Sequence, residues 1–147
     1  RFVSMQPQYN LVYREEEREM LPLCQDLGVA VLPYSPLARG LLATTVGQSV
    51  RRPTTRGGND PLADSRYDDG DLPVVRAVRE VAGEREITPA QVALAWLLRK
   101  GVHAPIVGAT KLSHIEDALA AMEISLTDDE VRRLEAPYRP HRVIGHS

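Results

Sequence analysis

The 147-residue chain has a single cysteine, Cys24, so no disulfide can form within it, and a reducing compartment is the setting that fits. It has no excess of either charge. Its 18 Lys and Arg are interspersed with 20 Asp and Glu, for a formal net charge of -2. That excludes the basic footprint expected of a protein that binds nucleic acid or an anionic bilayer. No apolar run approaches the ~20 residues a membrane-spanning helix needs, and no signal-peptide pattern opens the chain. A cytoplasmic protein is the expectation.

Common signatures of chemistry are missing too. There is no Gly-x-Gly-x-x-Gly fingerprint, no Walker-type phosphate loop and no Gly-x-Ser-x-Gly nucleophile elbow. His103, His114, His141 and His146 are not spaced as ligands on one helix face, and one cysteine makes no zinc site, so no metal is expected. Cys24 falls on the apolar side of a helical pattern and reads as core.

What is present is an alternation of short apolar runs and helical patterns. Phe2 to Met5, Val29 to Leu32 and Ala104 to Val107 are β-branched-rich, apolar on both faces and bounded by Gly, Pro or polar residues. They read as parallel strands covered by helices. Glu15 to Leu27 has a helical apolar face, with Gly28 as its stop and Pro22 as a bend or break. Leu72 to Glu84 is a second helix. Thr88-Pro89-Ala90-Gln91 is a capping box with proline at the first helical position, opening a helix that runs to Gly101. Ser113 to Met122 is another helix, and Thr127-Asp128-Asp129-Glu130 caps the last. Residues 45–71, with Arg51-Arg52-Pro53-Thr54-Thr55-Arg56-Gly57-Gly58-Asn59-Asp60-Pro61 at their centre, follow neither period. They are expected to be a long loop: a lid, a binding loop or a disordered segment. The chain begins at Arg1 inside a strand-like run, as a fragment, a processed product or a trimmed protein would.

The alternation means βα units around a parallel sheet. Three strands cannot close an eight-stranded barrel, which typically takes ~250 residues. The fold is a small open α/β domain or part of a barrel. In either case the loops after the strands carry the candidate site, because helix N-termini and free backbone N–H groups converge there.

Three such loops stand out. Gln6-Pro7-Gln8-Tyr9-Asn10 offers an amide and a flat ring, which together could hold a planar amide-bearing ring; a tyrosine packed on the sheet edge is the alternative. Pro33-Tyr34-Ser35-Pro36-Leu37-Ala38-Arg39-Gly40 suits backbone contact with a diphosphate, or is an ordinary turn. Gly108-Ala109-Thr110-Lys111 lies just before a helix and could bind a phosphate, with His114, Glu116 and Asp117 on the first turns. Its alternative is a glycine turn with a Ser113-x-x-Glu116 cap.

These loops, in this order, resemble the last three βα units of the aldo-keto reductases. Gln6 to Asn10, Tyr34 to Leu42, Thr88 to Trp96 and Pro105 to Thr110 follow the family pattern. The ending Glu135 to His141 is similar to the branch that includes aryl-alcohol dehydrogenase-like reductases. The resemblance implies the C-terminal half of a (β/α)8 barrel, a small carbonyl substrate and NADPH. In that frame Tyr9 would stack on the nicotinamide and Gln6 bond its carboxamide. Ser35, Leu37, Arg39 and Gly40 would line the pyrophosphate. Gly108, Thr110, Lys111, His114 and Asp117 would hold the adenosine and its 2′-phosphate. Many members have arginine where His114 stands and asparagine where Ala118 stands, so NADH is not excluded.

The family's catalytic Asp, Tyr, Lys and His come from earlier strands, so no catalytic residue is expected here. Without the upstream general acid, the chain alone is expected to be inactive. The leading reading is the cofactor-binding half of a reductase of aldehydes or ketones. The alternative is a regulatory or nucleotide-binding half-barrel, as potassium-channel β subunits are regulatory barrels. Open edges and an uncovered apolar face would drive self-association or pairing with an N-terminal half.

Overall fold

The computed structural model of the chain describes residues 1–44 and 67–143. Two strands, β1 (Ser4–Met5) and β2 (Ala30–Val31), pair in parallel with Ser4 opposite Ala30 and Met5 opposite Val31. The same offset continues to a parallel bridge between Gln8 and Tyr34. Backbone bonds from Ala30 N to Val3 O, Leu32 N to Met5 O and Tyr34 N to Pro7 O mark one ladder, at 2.9–3.0 Å. The strands are brief because Pro7 and Pro33 interrupt the run, and proline contributes no N–H to a ladder.

The third apolar run, Ala104 to Val107, is extended but forms no strand, a correction to the sequence reading. It lies beside β2 through His103 N to Val31 O and Ile106 N to Pro33 O, both 2.9 Å. On that side of β2 the residue at 33 is proline and has no N–H to give. The N–H of Val31 goes instead to the His103 ring at Nδ1, 3.1 Å away. A ladder along this edge therefore has no backbone donor on the β2 side.

Five α-helices surround this core among the described residues: α1 (Met20–Leu27), α2 (Leu72–Glu84), α3 (Pro89–Arg99), α4 (Leu112–Ala121) and α5 (Asp128–Glu135). The expected helix over 15–27 divides into a 3-10 turn, Glu15–Glu17, and α1. Pro22 explains where α1 begins. It sits in the first turn, where its missing N–H would have had no intrahelical partner. Gly28 ends α1 in the left-handed region, φ 61°. Both sequence-marked capping boxes form, Thr88 with Gln91 and Thr127 with Glu130. A further capping box at Asp68 and Asp71 opens a 3-10 turn leading into α2. The long-loop expectation falls outside the described residues over 45–66, whereas 67–71 leads directly into α2.

The core is centred on α3, whose residues from Val92 to Leu97 are all buried, with Trp96 at zero exposure. Val74, Val75, Val78, Val81 and Ala82 of α2 and Leu134 of α5 pack around it. The two ends of the βα series are different. Phe2 and Val3 are 87% and 80% exposed, and Leu112, Ile115, Leu119 and Met122 make an exposed stripe along α4. So β1 is not apolar-covered at its start, as the sequence led one to expect.

The link between α2 and α5 has a pH signature. Arg85 Nη2 donates to Glu130 Oε2 at 2.7 Å, and Thr127 N and Oγ1 donate to the same oxygen at 2.7 and 2.8 Å. The Arg85 guanidinium chiefly, helped by Thr127, holds the Glu130 carboxyl down at about 2. A carboxylate depressed on folding stabilises above its unfolded value and loses that contribution as pH falls through the folded value. Glu130→Gln is expected to lower stability at neutral pH by about 1–2 kcal/mol. It should also reduce the loss of stability between about pH 4.5 and 2. Urea melts across that range give both quantities.

Candidate functional site

The first loop leaves β1 at Gln6, whose side chain is exposed, and then turns inward. Gln8 is buried and joins three elements. Its Oε1 accepts from the Tyr34 hydroxyl at 3.1 Å, and its Nε2 donates to the Tyr67 oxygen at 3.0 Å. Asn10 Nδ2 donates to Ser35 O at 2.9 Å. These bonds and the Gln8–Tyr34 bridge fasten the first loop to the second.

Tyr9 is not on the open side of this joint. It has no exposed surface, its ring lies 5.3 Å from that of Trp96, and its hydroxyl donates to Glu17 Oε1 at 2.6 Å. Burial, then the neighbouring Glu17 carboxylate, pushes the phenol far above its ordinary value. A ring with no free face cannot stack on a nicotinamide, and such a phenol does not ionise near neutral pH. This corrects the role given to Tyr9 by the resemblance. The physical reason is the pair Trp96 and Glu17, which offer the ring an apolar wall and the hydroxyl an acceptor.

The second loop is the most conformationally costly part of the described backbone. Ser35, Ala38 and Arg39 have φ of 53°, 47° and 55°, and Gly40 follows at 93°. For non-glycine residues the left-handed region costs about 1–2 kcal/mol each. Such residues cluster where a loop must present itself in one shape. Ser35 and Leu37 are half-buried, Arg39 is exposed, and nothing lies within 4 Å of a Cβ built on Gly40.

The third loop is open. Gly108, Thr110 and Lys111 are exposed, and a Cβ on Gly108 would meet nothing within 4 Å. Lys111 stands at the N-terminus of α4 with no side-chain cap, so the Ser113-x-x-Glu116 alternative does not form. Instead His114 Nδ1 accepts from Thr110 N at 3.3 Å. Asp117 faces α3: its Oδ1 accepts from Thr88 Oγ1 at 3.1 Å and Gln91 Nε2 at 2.9 Å. The third loop reaches the others through the Ile106–Pro33 bond.

Sequence reasoning missed Tyr34. It is half-buried, follows β2 directly and is held by Gln8 through its hydroxyl. The signal was its place as the first residue after Pro33, where a ladder position and a loop residue coincide. Gln6, Tyr34, Ser35, Arg39, Thr110 and Lys111 together offer an amide, an aromatic face, hydroxyls and two cations. That donor set fits a nicotinamide dinucleotide, whose parts are a carboxamide ring and phosphates.

A second polar cluster lies behind the loops. Arg14 donates through Nε and Nη2 to Glu17 at 3.0 and 2.7 Å, and through Nη2 to Glu135 Oε2 at 3.1 Å. Its guanidinium lies 5.6 Å from the Trp96 ring and 5.0 Å from that of Tyr138. Burial opposes charge on Glu17, but Arg14 and the Tyr9 hydroxyl outweigh it and keep the carboxyl below its usual range. Glu15, also buried, accepts from the Tyr138 hydroxyl at 2.7 Å and from His141 N at 2.9 Å. The His141 ring pairs with the buried Asp71 at 3.0 Å. No group of three or more His, Cys, Asp or Glu able to hold a metal ion occurs among the described residues.

Known proteins resemble this chain in sequence and in fold. The Aldo/keto reductase family profile matches residues 1–139. An aldo-keto reductase of Fusarium vanettenii is 46% identical over 150 residues, covering 100% of this chain and 40% of that protein. A protein of Schizosaccharomyces pombe named as an aryl-alcohol dehydrogenase is 41% identical over 146 residues, covering 99% and 41%. The solved structure of a glycerol dehydrogenase from Gluconobacter oxydans superposes with a TM-score of 0.72 at 25% identity, covering 98% of this chain and 45% of that one. The chain thus spans about two fifths of the curated relatives it matches. The fold is part of a (β/α)8 barrel, about half of one.

The buried position of Tyr9 yields a test that separates packing from ligand contact. Tyr9→Phe is expected to cost about 1 kcal/mol by removing the hydrogen bond to Glu17, and Tyr9→Ala about 3–5 kcal/mol by opening a cavity against Trp96. Urea unfolding measures both. A Tyr9→Ala variant of unchanged stability would return the ring to the surface.

Proposed function

The chain belongs to the aldo/keto reductase family, in its aryl-alcohol dehydrogenase-like branch. On that premise we propose that it is the cofactor-binding half of an NADPH-dependent reductase of aldehydes or ketones. The observation that supports this reading most is the union of the first two strand-end loops through Gln8, Tyr34, Asn10 and Ser35. It joins the loop that carries Gln6 to the loop that carries Tyr34 and Arg39.

In this reading NADPH, when bound, supplies the hydride that reduces a carbonyl carbon. Gln6 bonds the carboxamide. Tyr34 takes the stacking place that Tyr9 cannot occupy. Ser35, Leu37, Arg39 and Gly40 face the pyrophosphate, where the strained backbone holds its shape without the ligand. Gly108, Thr110, Lys111 and His114 face the adenosine end. Arg39 and Lys111, one on each of these loops, attract phosphate charge. In this reading none of these residues gives the proton to the carbonyl oxygen. That task falls to groups upstream of this part of the barrel, and the chain by itself does not turn over substrate. The protein works in the cytoplasm.

Calorimetric titration with NADPH tests the reading. The chain is expected to bind it in the micromolar to submillimolar range, and absence of binding at millimolar NADPH would overturn the proposal. Tyr34→Ala should weaken binding about threefold to tenfold, in line with the worth of one aromatic stack, and Arg39→Ala by a factor that shrinks as salt rises. His114→Arg should raise the preference for NADPH over NADH, because a guanidinium keeps its charge and its fork at every working pH.

The alternative, a half-barrel that self-associates in a regulatory role, is favoured by one observation. Leu112, Ile115, Leu119 and Met122 are 48–70% exposed along one side of α4. Light scattering of the chain at high concentration is expected to show species larger than a monomer. Leu119→Glu should shift them toward the monomer.

A further inference from the structure

Helix α4 carries the third loop at its N-terminus, and little of the surface that it buries is apolar. Its large apolar residues, Leu112, Ile115 and Leu119, and Met122 just past its end, face outward, and Ala121 is its one buried residue. The side turned to the rest of the chain is formed by His114, Asp117, Ala118 and Ala121, which share a face at helical spacing. Alanines bury little area, so the apolar contribution to seating α4 on its neighbour is small.

What fixes it is a polar contact. Asp117 Oδ1 accepts from both Thr88 Oγ1, at 3.1 Å, and Gln91 Nε2, at 2.9 Å. The two donors are themselves immobilised. Thr88 is the N-cap of α3, and its Oγ1 accepts from Gln91 N at 3.2 Å, while Gln91 Oε1 accepts from Thr88 N at 3.1 Å. Each side chain therefore serves two bonds at once. The Gln91 amide gives its oxygen to the capping box and its N–H to α4; the Thr88 hydroxyl accepts within the box and donates outward. The box that starts one helix is also the seat of the next.

We propose that Asp117 is a positioning residue, and that its contact with Thr88 and Gln91 sets where the Gly108–Lys111 loop holds its phosphate-binding groups. This rests on the reading of that loop as the adenosine end of the cofactor site. Asp117 lies six residues from Lys111, about 9 Å along the axis at ~1.5 Å per residue. A small tilt of α4 about this point displaces Thr110, Lys111 and His114 together. The carboxylate acts on the cofactor through the helix, so it affects affinity without needing to touch the ligand.

The decisive variant is Gln91→Glu. Glutamate serves the capping box as well as glutamine does, so α3 keeps its start, but a second carboxylate now faces Asp117. NADPH affinity by calorimetry is expected to fall about fivefold to tenfold, about 1 to 1.4 kcal/mol of binding free energy. Amide exchange at Thr110 to Ile115 should speed up while that of Val92 to Leu97 stays unchanged. Asp117→Asn alone keeps an accepting Oδ1 and is the reference against which the double variant is read. The double variant Gln91→Glu with Asp117→Asn turns the bond round: the amide on α4 donates to the carboxylate on α3. It should recover both affinity and slow exchange. Unchanged affinity and exchange in Gln91→Glu, or no recovery in the double variant, would overturn the positioning role. A wild-type chain that fails to bind NADPH would instead overturn the cofactor reading of the loop. In that case the exchange data still decide whether the contact seats α4.

Discussion

The Arg14 guanidinium is the point on which the described structure turns. It lies 5.6 Å from the Trp96 ring and 5.0 Å from the Tyr138 ring and bonds two carboxylates, Glu17 and Glu135. These groups belong to the loop after β1, the central helix α3 and the end of α5, so one side chain joins the start, middle and end of the chain. A cation this enclosed is tolerable because two carboxylates meet its charge and two aromatic rings lie within cation–π range. Removing one partner of such a cluster is far more damaging than never having built it, since the remaining charges stay behind without compensation. Tyr9 depends on the same cluster, because the carboxylate that takes its hydroxyl is the one Arg14 holds in place. Trp96 does too, through Nε1 to Glu135 at 2.9 Å.

How much of this could be read from residues differs by element. Helix starts were legible at Thr88 with Gln91 and at Thr127 with Glu130, where both halves of the interaction are local, whereas Ser113 and Glu116 share the spacing and form no cap. The division of Glu15 to Leu27 was foreshadowed by Pro22. The third strand fails to form for a reason that needs two segments in view. Ala104 to Val107 has strand composition, but its neighbour presents Pro33 where a donor is required and commits the Val31 N–H to His103. Periodicity also marks α4 as a helix without saying which side will be covered, and its large residues face outward.

The candidate site was legible as a set of loops and less so residue by residue. Two tyrosines, Tyr9 and Tyr34, follow successive strands, and nothing local distinguishes the one that turns inward. The choice is made by Trp96 and Glu17, one distant in sequence and the other across a turn. Asp117 was legible as a polar residue near a helix start, but its partners belong to a capping box 26 and 29 residues away. The strain at Ser35, Ala38 and Arg39 had no composition signal beyond the adjacent Gly40, since serine, alanine and arginine are ordinary helix or turn residues.

The constant offset between β1 and β2, from Ser4 opposite Ala30 to Gln8 opposite Tyr34, has a consequence for how this barrel segment can vary. Side chains along a strand alternate faces, so a slip of one residue would turn Tyr34 over and separate it from Gln8. With two prolines thinning the ladder, few backbone bonds resist such a slip, and the amide–phenol pair becomes part of what prevents it. Substitutions at Gln8 or Tyr34 would then be felt twice, once at the loop surface and once in strand alignment. Changes in the length of α1 and its connections would be free by comparison, because they lie outside the aligned pairs. Drift in this family segment should therefore accumulate between the strands and spare the residues that keep them in step.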